Sequence, residues 1–133
     1  MQFSRKTDYG LILLEALKRT YASGEHFSLK AVAQGEHLPF AFLEKLAGML
    51  RKEGILEAMR GARGGYRLVR NPASLTLREV IRIFEEPPVM RCLRSPHPEQ
   101  YCPLVGACPT RKTWRALHER VNQIFETVTV AQL

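Results

Sequence analysis

Ile55-Leu56-Glu57-Ala58-Met59-Arg60-Gly61-Ala62-Arg63-Gly64-Gly65-Tyr66-Arg67-Leu68-Val69 reads as two short strands around a tight, basic turn. Ile55 to Ala58 and Tyr66 to Val69 have the apolar and aromatic content of strands, and Arg60 to Gly65 holds the glycines of the turn between them. Gly61, Gly64 and Gly65 let the backbone bend sharply. Arg60 and Arg63 stand at the tip, with no side-chain bulk between them and an approaching phosphate or minor groove. A plain surface hairpin has no need of two arginines there.

Upstream of this hairpin the periodicity is helical. Residues 8 to 19 place Leu11, Ile12, Leu14, Ala16 and Leu17 at helical spacing behind Ser4 or Thr7 as a cap, and the helix is expected to end near Gly24. A short second helix follows the cap Ser28, with Leu29, Val32 and Ala33 facing inward, and stops at Gly35. A third starts around Pro39 and runs to about Glu53, where Phe42, Leu43, Leu46, Met49 and Leu50 repeat at three and four before Gly54 closes it. Two helices joined by the short turn from Gly35 to Pro39 have the proportions of a helix-turn-helix, whose second helix enters the DNA major groove. With the hairpin behind them they predict a winged helix. The fold class is mainly α with a small β wing, followed by a long C-terminal dimerisation helix.

Downstream, Thr76-Leu77-Arg78-Glu79 is a capping box that opens a short fourth helix carrying Val80, Ile81, Ile83 and Phe84. Six of the eight prolines (Pro87, Pro88, Pro96, Pro98, Pro103, Pro109) then fall between residues 85 and 109, which predicts a loop with neither helix nor inner strand. Pro109 or Thr110 begins a last helix with Trp114, Leu117, Val121, Ile124, Phe125 and Val128 as an apolar seam. A long terminal helix beyond a DNA-reading core suits pairing with its own copy in a twofold dimer that matches palindromic half-sites. The expected organisation is a winged helix-turn-helix over 1–84, a cysteine loop over 85–109, and a dimerisation helix with its tail over 110–133.

The charge points to the same partner. The chain of 133 residues carries a formal charge of +7, and from Lys45 to Arg70 it has seven Lys and Arg (Lys45, Arg51, Lys52, Arg60, Arg63, Arg67, Arg70) against Glu53 and Glu57. Such a concentration favours a polyanion, because neutralising phosphates releases counterions. No paired carboxylates, phosphate-cradling loop or activated nucleophile is visible, so no enzyme is expected. No apolar run is long enough to cross a bilayer and the first residues lack a signal peptide's apolar stretch, which makes a cytoplasmic protein the expectation.

All three cysteines, Cys92, Cys102 and Cys108, lie in the proline-broken segment at C-x9-C-x5-C spacing. In a reducing compartment an odd set of thiols points to metal binding or redox sensing, not to structural disulfides. From the residues alone the choice stays open between an iron centre, a thiol switch through disulfide or sulfenic acid, and zinc held by the three cysteines with His97.

The whole chain resembles the Rrf-two regulators, the group of IscR, NsrR and RirA. The resemblance rests on Phe3-Ser4-Arg5-Lys6-Thr7-Asp8-Tyr9-Gly10, Phe42-Leu43-Glu44-Lys45-Leu46, Leu50-Arg51-Lys52-Glu53-Gly54 and Arg60-Gly61-Ala62-Arg63-Gly64-Gly65-Tyr66. The three-cysteine segment, Trp114 and the closing Thr129-Val130-Ala131-Gln132-Leu133 complete it. It implies a dimeric winged-helix transcription factor that holds an iron-sulfur cluster, 2Fe-2S or 4Fe-4S, between its loop and the partner subunit. The resemblance gives Ala41, Phe42, Glu44, Lys45 and Arg51 as third-helix residues near bases or phosphates, and Arg60 and Arg63 as wing residues in the minor groove. For the cluster it implies Cys92, Cys102 and Cys108. The histidine that IscR-like members place three residues after the last cysteine is Arg111 here, whereas Asp8 stands where NsrR-like members donate an aspartate from the other subunit.

Overall fold

A computed structural model describes residues 2–85 and 90–133. Helix α1 spans Arg5–Lys18, α2 Leu29–Gly35 and α3 Phe40–Lys52; strands β1 (Leu56–Met59) and β2 (Gly65–Leu68) follow, then α4 (Leu77–Phe84), a one-turn α5 (Arg91–Arg94) and α6 (Arg111–Thr127). Leu13, Leu14 and Leu17 of α1, Leu43, Leu46 and Leu50 of α3, and Val32 of α2 make the centre of the core, each almost wholly buried. Burial of leucines of this size stabilises the fold by about 1.5–3 kcal/mol each.

Local chemistry sets the helix ends. Ser4 caps α1 by accepting from the Lys6 amide, and Ser28 caps α2 by accepting from the Ala31 amide. The first helix stops at Lys18, six residues before the predicted Gly24. The hydroxyls of Thr20 and Ser23 donate to the carbonyls of Leu17 and Thr20, and this side-chain competition replaces the helical ladder with successive turns. Between α2 and α3 the chain reverses through His37 at φ 54°, and the Leu38 amide donates to Ala33 O. That turn sets α3 against α1 and α2 as the second helix of the helix-turn-helix.

The wing is an antiparallel pair in the register Leu56↔Leu68, Glu57↔Arg67, Ala58↔Tyr66 and Met59↔Gly65. Both strands lie one residue off the expected bounds, because Ile55 still belongs to the close of α3: its amide donates to Leu50 O. Leu56 and Leu68 are buried while Glu57 and Arg67 pair across the strands on the other face. Tyr66 also bridges to Phe27, so the root of the wing is tied to the segment ahead of α2. Gly65, at φ 147°, passes so close that a Cβ there would lie 2.4 Å from Phe27 O, which is why the position takes glycine.

Helix α4 carries the predicted capping box in full: Thr76 accepts from the Glu79 amide and the Glu79 carboxylate accepts from the Thr76 amide. It packs on α1 through Phe84, whose Cε2 would be 2.4 Å from a Cβ at Gly10. The prolines do not exclude helix from the following segment, contrary to the expectation of a pure loop. Arg91–Arg94 fits one turn with no proline inside it, and Pro98 opens a 3-10 turn, Pro98–Gln100, at the position where its missing N–H costs nothing. Pro87 and Pro88 lie outside the described residues.

The tail after α6 joins the winged helix. Leu77 N donates to Val128 O, Val130 N to Leu75 O and Ala131 N to Pro72 O, and Val130 is fully buried in the core. Among the described residues no helix is long and apolar enough to cross a membrane.

Candidate nucleic-acid interface and cysteine segment

The core stripe of α3 (Leu43, Leu46, Ala47, Leu50) leaves Ala41, Lys45, Gly48 and Lys52 at the centre of its outward side, with Glu44 and Arg51 flanking. Ala41, Glu44, Lys45 and Arg51 are all exposed. Among the described residues none of these charged side chains forms an ion pair within the chain, so their charges are uncompensated at the surface. Arg60 and Arg63 are likewise exposed at the wing tip, where Gly64 N closes the turn on Gly61 O at 2.9 Å. Among the described residues helix and wing thus offer five free cations, Lys45, Arg51, Lys52, Arg60 and Arg63, to one polyanion.

Phe42 is placed differently from its neighbours. It is half-buried against the core and meets Tyr9 edge to face, with ring centroids 5.6 Å apart. The exposed aromatic of α3 is Phe40, at the first helical position, 43 % accessible. The apolar repeat read from the sequence begins at Phe42 and does not include Phe40.

The cysteines sit on the segment between α4 and α6, Cys92 within the one-turn α5, Cys102 after the 3-10 turn, and Cys108 two residues before the α6 cap Thr110. All three are free thiols of intermediate exposure. Hydrogen bonding to Thr110, whose Oγ1 lies 3.5 Å from Sγ, holds the Cys108 thiol below its ordinary value, and the Arg111 charge adds to this. Arg111 also donates to Cys92 O at 3.4 Å, so the first and last cysteines share one cation.

The root of the segment is clamped to the start of α1. Glu85 Oε1 accepts from Ser4 N at 2.6 Å and from Thr7 Oγ1 at 2.8 Å. Partial burial pushes the Glu85 carboxyl up, but hydrogen bonds from Ser4 and Thr7 outweigh it and leave it below its ordinary value. Asp8 is exposed in the first turn of α1, beside this clamp. His97 is exposed, 3.4 Å from Glu99.

Three thiols suit the soft-ligand chemistry of an iron-sulfur cluster. Within one chain they are not drawn together: among the described residues no three His, Cys, Asp or Glu side chains converge as a ligand group. The single chain therefore supplies the donors without the assembled site.

A family profile described as "Rrf2: Iron-dependent Transcriptional regulator" matches residues 3–133. The chain is similar to the HTH-type transcriptional regulator CymR of Bacillus subtilis, 31 % identical over all of this chain and 89 % of that one. The solved structure of CymR, the global cysteine regulator of B. subtilis, superposes with a TM-score of 0.76 at 28 % identity, covering 99 % of this chain and 95 % of that one. IscR of T. potens matches with a TM-score of 0.74 at 26 % identity, over 99 % of this chain and 85 % of that one. With an exposed helix-turn-helix and a basic wing, and with the family profile matching residues 3–133, the chain belongs to the Rrf2 family as a DNA-binding transcriptional regulator, not an enzyme.

Proposed function

We propose that this chain acts in the cytoplasm as a homodimeric regulator that binds a palindromic operator and reports iron, redox or nitric oxide status through its cysteine segment. The observation that carries the reading is the placement of every cysteine, free and half-exposed, on one segment clamped at Glu85 to the winged helix. In this reading Ala41, Glu44, Lys45 and Arg51 face bases or phosphates of the major groove and Arg60 and Arg63 reach the minor groove. Phe42 serves the register of α3 through Tyr9 and touches DNA only at its exposed edge. The winged helix over 1–84, the sensor segment over 85–109 and the helix over 110–133 divide the work, with residues 128–130 returning to the first unit.

Cys92, Cys102, Cys108 and the partner subunit's Asp8 would hold an iron-sulfur cluster, 2Fe-2S or 4Fe-4S, and what such a group supplies is sensitivity to iron supply and oxidants. The family's description as iron-dependent supports this. The dimer brings a fourth donor that one chain lacks. Asp8, in the turn next to the Glu85 clamp, couples ligation to the position of α1, and α1 packs directly on α3. Ligand exchange at Asp8 thereby biases the spacing of the two DNA-reading helices.

A second reading has its own support. The Cys108 thiol is lowered by Thr110, and the relative CymR is a cysteine regulator with a solved oxidised form in Staphylococcus aureus. Here the same thiols respond by disulfide or sulfenic acid, with zinc bound by the cysteines and His97 as the metal-holding variant. Anaerobic purification with iron, sulfide and zinc quantitation separates them. Iron with sulfide, and a spectrum altered by Asp8→Ala, is the expected result. A colourless, iron-free protein whose DNA affinity follows thiol oxidation overturns the cluster in favour of the switch.

A further inference from the structure

The two phenylalanines at the start of α3 are sorted to opposite environments. Phe42 is held edge-on by Tyr9, whereas Phe40 is 43 % exposed and belongs to neither aromatic pair among the described residues. A lone exposed aromatic is ordinary on a protein surface. Phe40 is set apart by its place: the first residue of the second helix of a helix-turn-helix, beside Ala41 and one turn before Glu44. Residues at the N-terminal end of that helix meet base edges.

A second observation concerns the outward side of the same helix. Gly48 occupies the middle of the helix on its outward side, and a Cβ built there meets nothing within 4 Å. Glycine inside a helix is destabilising by about 0.5–1 kcal/mol relative to alanine. No neighbour within the chain occupies that room, which leaves it open to a molecule that docks on this face. The cations around it, Lys45, Arg51 and Lys52, select a polyanion.

We propose that Phe40 is a base-reading residue, its ring packing against the methyl group of a thymine in the major groove. An aromatic ring has no hydrogen-bonding group to offer a base edge, and the thymine C5-methyl is the apolar feature of that groove. The proposal rests on α3 being the DNA-reading helix, and its test separates the two. Sites are selected from random duplex DNA with the wild-type protein, and each thymine is then replaced in turn by deoxyuracil, which removes the methyl and keeps every hydrogen-bonding group. The wild type is expected to lose about fourfold in affinity at one thymine per half-site, the worth of one buried methyl. Phe40→Ala, with an unchanged melting temperature, is expected to show no loss at that same thymine. Equal losses for the two proteins at every thymine, or no thymine sensitive in the wild type, overturn the proposal. Lys45→Ala serves as the control for α3: if it weakens binding while Phe40→Ala shows equal losses, methyl reading alone falls. If neither variant changes affinity or site preference, the docking of α3 falls with it.

Discussion

Two glycines show how the same residue type answers to different demands. Gly65 is required by the chain itself: its φ of 147° and the 2.4 Å approach to Phe27 O exclude any side chain. Gly65→Ala is expected to cost at least about 1–3 kcal/mol and to loosen the wing. Gly48 is required by nothing inside the chain, so Gly48→Ala is expected to stabilise the protein by up to about 1 kcal/mol through helix propensity. The same substitution is expected to weaken DNA binding, because it fills the outward side of α3. Thermal melts with operator titrations check both variants, and a Gly48→Ala protein that binds as well as wild type removes close approach as the reason for the gap. At this scale the sequence was legible where chemistry is local. Ser28, Thr76 and Glu79 act as their spacing predicts, whereas the half-burial of Phe42 against Tyr9 and the exposure of Phe40 were not legible, because they depend on how the start of α3 meets α1.

At the scale of the element, α6 is a long helix with no buried residue of its own. Its predicted seam divides in two. Phe125 turns toward α4 beside His118 and Asn122, and also meets Phe3, ahead of α1, edge-on at 5.7 Å between ring centroids. Trp114, Leu117 and Ile124 remain 39 %, 42 % and 63 % exposed. Leucine and isoleucine set on one helix stripe in water lose the benefit of burial, and a second copy of the helix restores it. The double variant Leu117→Glu, Ile124→Glu is expected to halve the mass measured by sedimentation while each chain keeps its helical circular dichroism. An unchanged dimer mass would move the proposed interface off this stripe. The seam was readable from its three-and-four spacing; its division was not, because it depends on α4 lying along one side.

At the scale of the molecule, the Glu85 clamp links the cysteine segment to the first helix and through it to the winged-helix core. Its carboxyl is held below its ordinary value in the folded chain and titrates near about 4.3 in the unfolded chain. The folded state therefore binds fewer protons in that range, so the clamp's contribution is fully present above that pH and is lost as pH falls through the lower folded value. Wild type is expected to be more stable than Glu85→Gln at pH 7, with the gap closing below about pH 4. Urea titrations at several pH values measure it, and a gap that does not change with pH would mean that shape, not charge, holds the clamp.

By itself the sequence determined the winged helix and the order of its elements, the basic wing tip and the collection of thiols on one segment, because each follows from spacing, capping and charge within a few residues. Tertiary structure alone decided that residues 128–130 return to the core between Leu75 and Leu77 and that Glu85 is clasped by Ser4 and Thr7. Those contacts join residues up to 81 positions apart. Their pairing depends on how α1, α4 and α6 pack, which no local periodicity encodes.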